Sequence, residues 1–249
     1  MIEIENSRFI FKTKTIWFSE VPFDIEGFDQ VSFNACKMNV DLKGFFKKSF
    51  TTQIIDLTQD LETIWKKMDK SSCRYSINKA KKDGVNIILN QEYDSFCSIN
   101  SEFRELKGLP NYAISSDFMK KYGVLFLSTF NEKIIGGQFY LCNGKNIRWM
   151  LGASRRLEET GQIRTLVGNA NRLMIWEAIN YAKERGIDNF DLGGYYVGEK
   201  QDNEKENINF FKKSFGGELT TLYNYDKDYS KLYSIAKKLG IMYNRFIKN

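Results

Sequence analysis

Between Gly123 and Ala153 the sequence falls into three strand-length runs rich in apolar and β-branched residues, Gly123–Phe130, Lys133–Cys142 and Asn146–Ala153. Only the short polar breaks Asn131-Glu132 and Asn143-Gly144 separate them, and turn residues at that spacing join neighbouring strands as hairpins. The next segments narrow the choice further. A polar loop, Ser154–Thr165, leads into a long helix over about Leu166–Arg185, whose Ile175, Ala178, Ile179 and Ala182 form one apolar stripe, with Gly186 as its cap. A short buried strand, Asn189–Leu192, follows and ends at Gly193-Gly194. A meander followed by a helix and a further strand predicts an α/β fold, with a mixed, mostly antiparallel sheet flanked by helices.

The rest of the chain reads as elements of the same kind. Ser7–Ser19 suggests two short strands, Val21–Phe50 carries weak signals, and Thr51–Leu57 is a clean strand. Thr58 or Asp60 caps a helix in which Leu61, Ile64, Trp65 and Met68 share a face. A second helix runs from Ser71-Ser72 to Lys82, stops at Asp83-Gly84, and carries Arg74, Asn78 and Lys81 on one side. A strand (Val85–Leu89), a helix (Tyr93–Leu106) and a short helix from Ser115-Ser116 to Tyr122 complete the first half. Beyond the loop Tyr195–Glu204, a helix (Asn207–Ser214), Gly216-Gly217, a strand (Glu218–Tyr225) and a final amphipathic helix (Tyr229–Ile247) are expected. The seam is expected near Gly108–Tyr112. It would divide a smaller α/β half, residues 1–110 on the acceptor side, from a main domain, residues 111–249.

Composition removes whole classes of chemistry. The 249 residues contain no His, so no Ser-His-Asp or Cys-His pair and no His metal ligand exists. Cys36, Cys73, Cys97 and Cys142 are widely spaced, which fits reduced thiols and neither a disulfide frame nor a zinc site; no metal is expected. No run of about 18 apolar residues exists, and Met1–Ser7 lacks the pattern of a signal peptide, so a cytoplasmic location without a membrane span is expected. The net charge of +6 suits an anionic partner such as a nucleotide, coenzyme or tRNA, though an ordinary solvated surface accounts for it equally well.

The strand–loop–helix passage is where an anion would bind, because the first N–H groups of a helix are unpaired and its dipole favours negative charge there. Arg164, Gly168, Asn169 and Asn171 lie in or beside the expected first turn, with Arg155, Arg156 and Arg172 nearby.

The element order resembles the GNAT acyltransferase superfamily. In that fold an acyl-CoA pyrophosphate lies at this helix N-terminus, and the pantetheine arm runs along the preceding strand, here Arg148–Ala153 with Met150, Leu151 and Gly152. Arg164-Thr-Leu-Val-Gly168-Asn-Ala170 is similar to the superfamily signature Q/R-x-x-G-x-G/A, with one extra residue before the glycine. Two further stretches resemble the FemAB/FemX family. One runs from Trp65 through Ala80-Lys-Lys-Asp-Gly84-Val; the other pairs Phe190-Asp-Leu-Gly-Gly194 with Phe210-Phe-Lys-Lys-Ser-Phe-Gly-Gly217. The resemblance covers about residues 50–225, and the paired motifs in that order make it fairly specific.

Members of that family transfer aminoacyl groups from tRNA to amines of peptidoglycan precursors, and relatives with the same fold use acyl-CoA to acylate amino sugars. The tRNA-dependent members are usually longer and often carry a helical hairpin, which this sequence lacks. The resemblance therefore implies an N-acyltransferase with acyl-CoA as donor and a nucleotide-linked amino sugar of cell-envelope synthesis as acceptor. An aminoacyl-tRNA-dependent transferase is the alternative, a GNAT-fold binding module without catalysis the second, and a homodimer is left open. Without His the base is a carboxylate, a tyrosine or water, so Asp191, with Tyr195 beside it, is the first candidate. Oxyanion donors come from the backbone of Met150–Ala153 or from Lys212, which matches the family's F-K lysine. Arg74 and Lys81 are candidates for acceptor phosphates, Trp149 and Tyr195 for stacking on a sugar or base, Tyr196 for the acceptor side or as an alternative base, and Gln138 for holding a water.

Overall fold

The computed structural model describes residues 1–110, 114–198 and 201–239. The chain packs as two compact units, Met1–Thr52 together with the chain from Leu219 onward, and Gln53–Glu218.

In the first unit, β1 (Ile2–Arg8) and β2 (Phe11–Trp17) form an antiparallel hairpin, with Arg8 opposite Phe11 at its tip. Strand β3 (Gln30–Cys36) runs parallel to β2 and antiparallel to the returning C-terminal strand Glu218–Asp228. Ile16, Val31, Phe33, Cys36 and Tyr225 are fully buried between these strands and their loops.

The second unit begins in the later part of β4 (Phe46–Asp56), which runs to Asp56 where the sequence predicted Leu57. Helix α1 (Leu61–Lys67) is capped by Asp60, whose carboxylate accepts from the Thr63 N–H at 2.8 Å. A π-helical turn, Lys70–Arg74, opens on Asp69 and continues as α2 (Tyr75–Lys82). Then come β5 (Asn86–Leu89), α3 (Tyr93–Leu106), α4 (Ser116–Tyr122) and the meander β6 (Gly123–Phe130), β7 (Lys133–Cys142) and β8 (Asn146–Ser154). Asn131 and Glu132 both have positive φ (48° and 64°), as a two-residue hairpin turn that follows strand twist requires.

The long helix α5 spans Gly161–Glu184, and β9 covers Asn189–Gly194. Helix α6 (Asn203–Lys213) precedes β10 (Glu218–Asp228) and α7 (Lys231–Lys238); the rest of the expected last helix, residues 240–247, lies outside the described residues. The sheet of this unit has the order β4-β9-β8-β7-β6-β5. Alternation along β6 shows how it is covered: Val124 and Phe126 join a core with α1, α2 and α5, whereas Leu125 and Leu127 join one with α3 and α4. The stripe Ile175, Ala178, Ile179 and Ala182 is fully buried, as its spacing predicts.

Two boundaries differ from expectation. The seam near Gly108 does not divide the units, because β5 pairs with β6 and α2 packs on α5; Asn111 and Tyr112 lie outside the described residues. The second unit thus holds everything from Gln53, and the first is completed by the returning C-terminal segment. Helix α5 also starts five residues before Leu166. Its N-cap, Thr160, makes no side-chain capping bond, so the usual sequence marker of a helix start is missing.

Candidate active site

Strands β8 and β9 run parallel, but their register covers only Asn146↔Asn189, Ile147↔Phe190 and Arg148↔Asp191. Just past that point β8 bulges against its other neighbour: Tyr140 faces Trp149 and Phe139 faces Leu151, leaving Met150 as the extra residue. The ladder on the β9 side ends at Arg148, and on the β7 side Trp149 and Leu151 stay paired while Met150 alone is left without a partner.

The motifs around this point have physical reasons. Gly193 has φ +80°, and a Cβ there would come 3.2 Å from the Trp149 carbonyl. Gly216 and Gly217 also have positive φ, and a Cβ on Gly217 would lie 2.6 Å from the Ile54 carbonyl oxygen. The Gly-Gly pair therefore lets the end of α6 pass against β4, and the Gln53 side chain fastens it by donating to the carbonyls of Lys212 (3.2 Å) and Gly216.

That fastening fixes Lys212. Its side chain comes off the last turn of α6, is buried, and donates from Nζ to the Gly194 carbonyl at 2.6 Å. The ammonium lies 5.8 Å from the centre of the Trp149 ring. Burial pulls it down to about 8, with the nearby Asp191 charge opposing and that of Arg148 reinforcing the shift. Trp149 is held by a bond from its indole N–H to the Leu151 carbonyl at 2.8 Å, and its ring lies where a side chain on Gly152 would be, 2.7 Å from an added Cβ.

Asp191 is the buried carboxylate expected at this place, but both of its oxygens are engaged. One takes the Arg148 guanidinium across the last register pair, and the other accepts the Gly193 N–H at 2.7 Å. Arg148 carries no motif that marks it in the sequence, although a cation inside the strand Asn146–Ser154 and a buried acid on Asn189–Gly194 each call for a partner. A carboxylate so held braces the end of the ladder.

Other expected residues divide between the site and the scaffold. Tyr195 and Tyr196 are half-buried on the loop after β9, and Asn209 of α6 grips the Tyr196 backbone through both its N–H (3.0 Å) and its carbonyl (2.7 Å). Gln138 is buried in the scaffold: its amide donates to the Asn171 carbonyl at 3.0 Å and accepts from the Tyr140 hydroxyl at 2.5 Å, so it has no reach toward a substrate. Lys81 pairs with Glu177 at 2.9 Å and ties α2 to α5.

The early start of α5 moves the expected anion site. Gly168, Asn169 and Asn171 lie beyond the first turn, where N–H groups are bonded within the helix; Asn169 is buried, and Asn171 donates to the Ser154 hydroxyl at 3.3 Å. The N–H groups open to an anion belong instead to the exposed residues Gly161, Gln162 and Ile163, since the Arg164 N–H donates to the Thr160 carbonyl at 3.3 Å. Arg155 is neutralised by Glu102 and Glu158. Arg156, whose Nε is 3.4 Å from a Cβ placed on Gly168, and Arg164 have no ion-pair partner among the described residues.

A second cationic locus lies between α2 and α5. Arg74 and Arg172 have no carboxylate partner among the described residues, and each has a buried Nε without a hydrogen bond. Arg172 lies 4.7 Å over the Phe211 ring, which in turn contacts Trp149 at 6.1 Å, and burial lowers the pKa of its guanidinium. The Cys73 thiol nearby is fully buried and pushed up to about 12, which excludes it as a nucleophile.

No protein-family profile matches the sequence, and no curated relative does. Solved structures match its fold. FemX superposes with a TM-score of 0.63 at 13% identity, over 95% of this chain and 85% of that one. The C-terminal domain of a candidate lysylphosphatidylglycerol synthetase from Agrobacterium fabrum gives 0.58 at 11% identity, over 96% and 84%. L-PGS from Bacillus licheniformis gives 0.54 at 12% identity, over 88% and 73%. These superpositions show a FemX-like fold, as the sequence resemblance implies.

Proposed function

We propose that the chain is an acyltransferase that moves an acyl group from a phosphate-bearing carrier to an amine at the end of the β8–β9 ladder. The observation that carries this reading is the buried Lys212 ammonium at that point, held by the Gly194 carbonyl beside the kinked strand Trp149–Leu151. A cation excluded from water stabilises the oxyanion that forms when an amine attacks a thioester or ester carbonyl. The Arg148–Asp191 pair keeps the strand ends and the Gly193 turn in place for it. Tyr195, next to the carbonyl that binds Lys212, is assigned the transfer of the amine's proton, directly or through water.

The donor in this reading is acyl-CoA, its phosphates on the N–H groups of Gly161, Gln162 and Ile163 with the side chains of Arg156 and Arg164. The acceptor is a nucleotide-linked amino sugar whose phosphates reach Arg74 and Arg172. Trp149 and Tyr196 supply faces for the sugar or base. A CoA donor is supported by helix lengths: apart from α5, no helix among the described residues exceeds the 14 residues of α3, so the helical hairpin of the tRNA-dependent relatives has no counterpart there. Aminoacyl-tRNA is the second reading, favoured by the likeness to FemX and the lysylphosphatidylglycerol synthetase domains.

The test is turnover of acyl-CoAs with nucleotide amino sugars, set beside aminoacyl-tRNA as donor. Lys212→Met should lower turnover by roughly 10²-fold, the scale of one oxyanion donor, with the fold intact. Full turnover in that variant would refute the assignment of Lys212. Turnover with aminoacyl-tRNA alone would select the second reading.

A further inference from the structure

The first unit exposes large apolar side chains at two places. The turn between β1 and β2 exposes Phe9 (70%) and Ile10 (74%). The next residue, Phe11, turns inward and packs edge-on against Tyr233 of α7 at 5.3 Å, joined by Ala236. Helix α7 therefore lies beside the hairpin tip with Tyr233 and Ala236 as its inner face. Its other side exposes Leu232, Ile235 and Leu239, more than half accessible in each case. The three follow a 3–4 spacing along one side of the helix.

Two apolar features that converge on one face exceed the scattered exposed leucines of an ordinary surface. Charge identifies what covers them. From Lys231 to Leu239 the helix segment has three cations, Lys231, Lys237 and Lys238, and no acid. Lys231 and Lys238 are exposed beside the stripe and have no ion-pair partner among the described residues. Arg8 adds a guanidinium 5.9 Å from the Phe9 ring. A second copy docking through this face would bring those cations against one another, whereas an anionic lipid surface offers both an apolar layer for the stripe and negative headgroups for its flanks.

We propose that the Phe9-Ile10 turn and the outer stripe of α7 dock this chain on an anionic lipid bilayer. Apolar side chains enter the headgroup boundary while Lys231 and Lys238 meet phosphates, which makes the chain a peripheral binder that does not span the membrane. This surface is independent of the transferase reading.

The experiment is flotation of the full chain with vesicles of phosphatidylglycerol and phosphatidylcholine in equal parts, against vesicles of phosphatidylcholine alone. The protein should float with the anionic vesicles only. Lys231→Gln with Lys238→Gln should weaken binding about 30-fold, taking two cations at the usual gain for each near such a surface. Phe9→Asp with Ile235→Asp should abolish binding at an unchanged melting temperature; if that pair unfolds the protein, Leu232→Asp with Leu239→Asp repeats the test. The proposal is overturned if the wild type does not float, if it floats equally with neutral vesicles, or if a folded apolar-to-Asp pair still floats. It is also overturned if the wild type sediments as a dimer that Ile235→Asp dissociates, which would assign the face to a second copy.

Discussion

Lys212 should impose a pH dependence on folding that a single substitution removes. In the unfolded chain its ammonium titrates near the ordinary 10.5, and in the folded protein near 8. Between those values the unfolded state holds the extra proton, so stability rises with pH across the window from about 8 to 10.5. Below about 8 both states are charged, and the whole penalty of burying the ammonium is present. The gap amounts to about 3 kcal/mol at 1.36 kcal/mol per unit, an order-of-magnitude figure for a side chain that is 7% exposed. Lys212→Met keeps the unbranched bulk, removes the proton, and gives up the bond to Gly194, worth about 1 kcal/mol. At neutral pH the variant should be the more stable protein by about 2 kcal/mol; toward pH about 10.5 its advantage should vanish and reverse. Urea denaturation of both proteins across that range isolates the effect, because every other titrating group cancels in the difference. Two stability curves that stay parallel from pH about 7 to 10.5 would falsify the lowered lysine and, with it, the claim that the site excludes water. The same ammonium predicts a decline of activity as pH rises through about 8, and this limb should be absent from the residual activity of Lys212→Met.

Further consequences can be measured separately. Asp191→Asn leaves Arg148 buried without its charge partner and should destabilise by about 3–5 kcal/mol, whereas joint replacement of Arg148 and Asp191 by Met and Leu should come close to wild type in chemical denaturation; an unchanged midpoint for Asp191→Asn alone would show the pair to be solvated. Gly217→Ala should lose several kcal/mol, about 2–4, because its Cβ meets the Ile54 carbonyl at a positive φ, while Gly186→Ala, with open space at its Cβ, should lose only about 1. Arg164→Glu should weaken acyl-CoA binding by tenfold or more without moving the melting temperature, and equal affinity in a calorimetric titration would place the donor phosphates away from the start of α5. Ile179→Ala, fully buried on α5, should lower stability by about 2–5 kcal/mol and serves as the scale for a pure packing defect.

What the sequence disclosed and what it withheld follow one physical division. Signals complete within a few residues were legible: the Asn131-Glu132 turn, the Ser115 cap of α4, the Gly186 end of α5 and the apolar stripe between Ile175 and Ala182. Strand β3 was not, because it is specified by a parallel neighbour and by a partner strand almost 200 residues away, Tyr225 opposite Phe33. The division into units was hidden for the same reason, since the first is closed by a strand that returns at the end of the chain. The site shows the same split. Lys212 stands out in the sequence only through the resemblance of its Phe-Lys motif; its burial follows from the glycines and phenylalanines beside it that hold α6. The state of Asp191 could not be read, since its partner Arg148 is defined by the register of two parallel strands 43 residues apart. A charged residue in each of two otherwise apolar strands was the available clue: neither charge is tolerable inside a sheet alone, and together they fix where the ladder stops. The ladder ends at that pair, and the bulge that turns Met150 out of register follows two residues later. The ion pair therefore does for the strands what a cap does for a helix, and the buried lysine proposed for the oxyanion lies beside the boundary it creates.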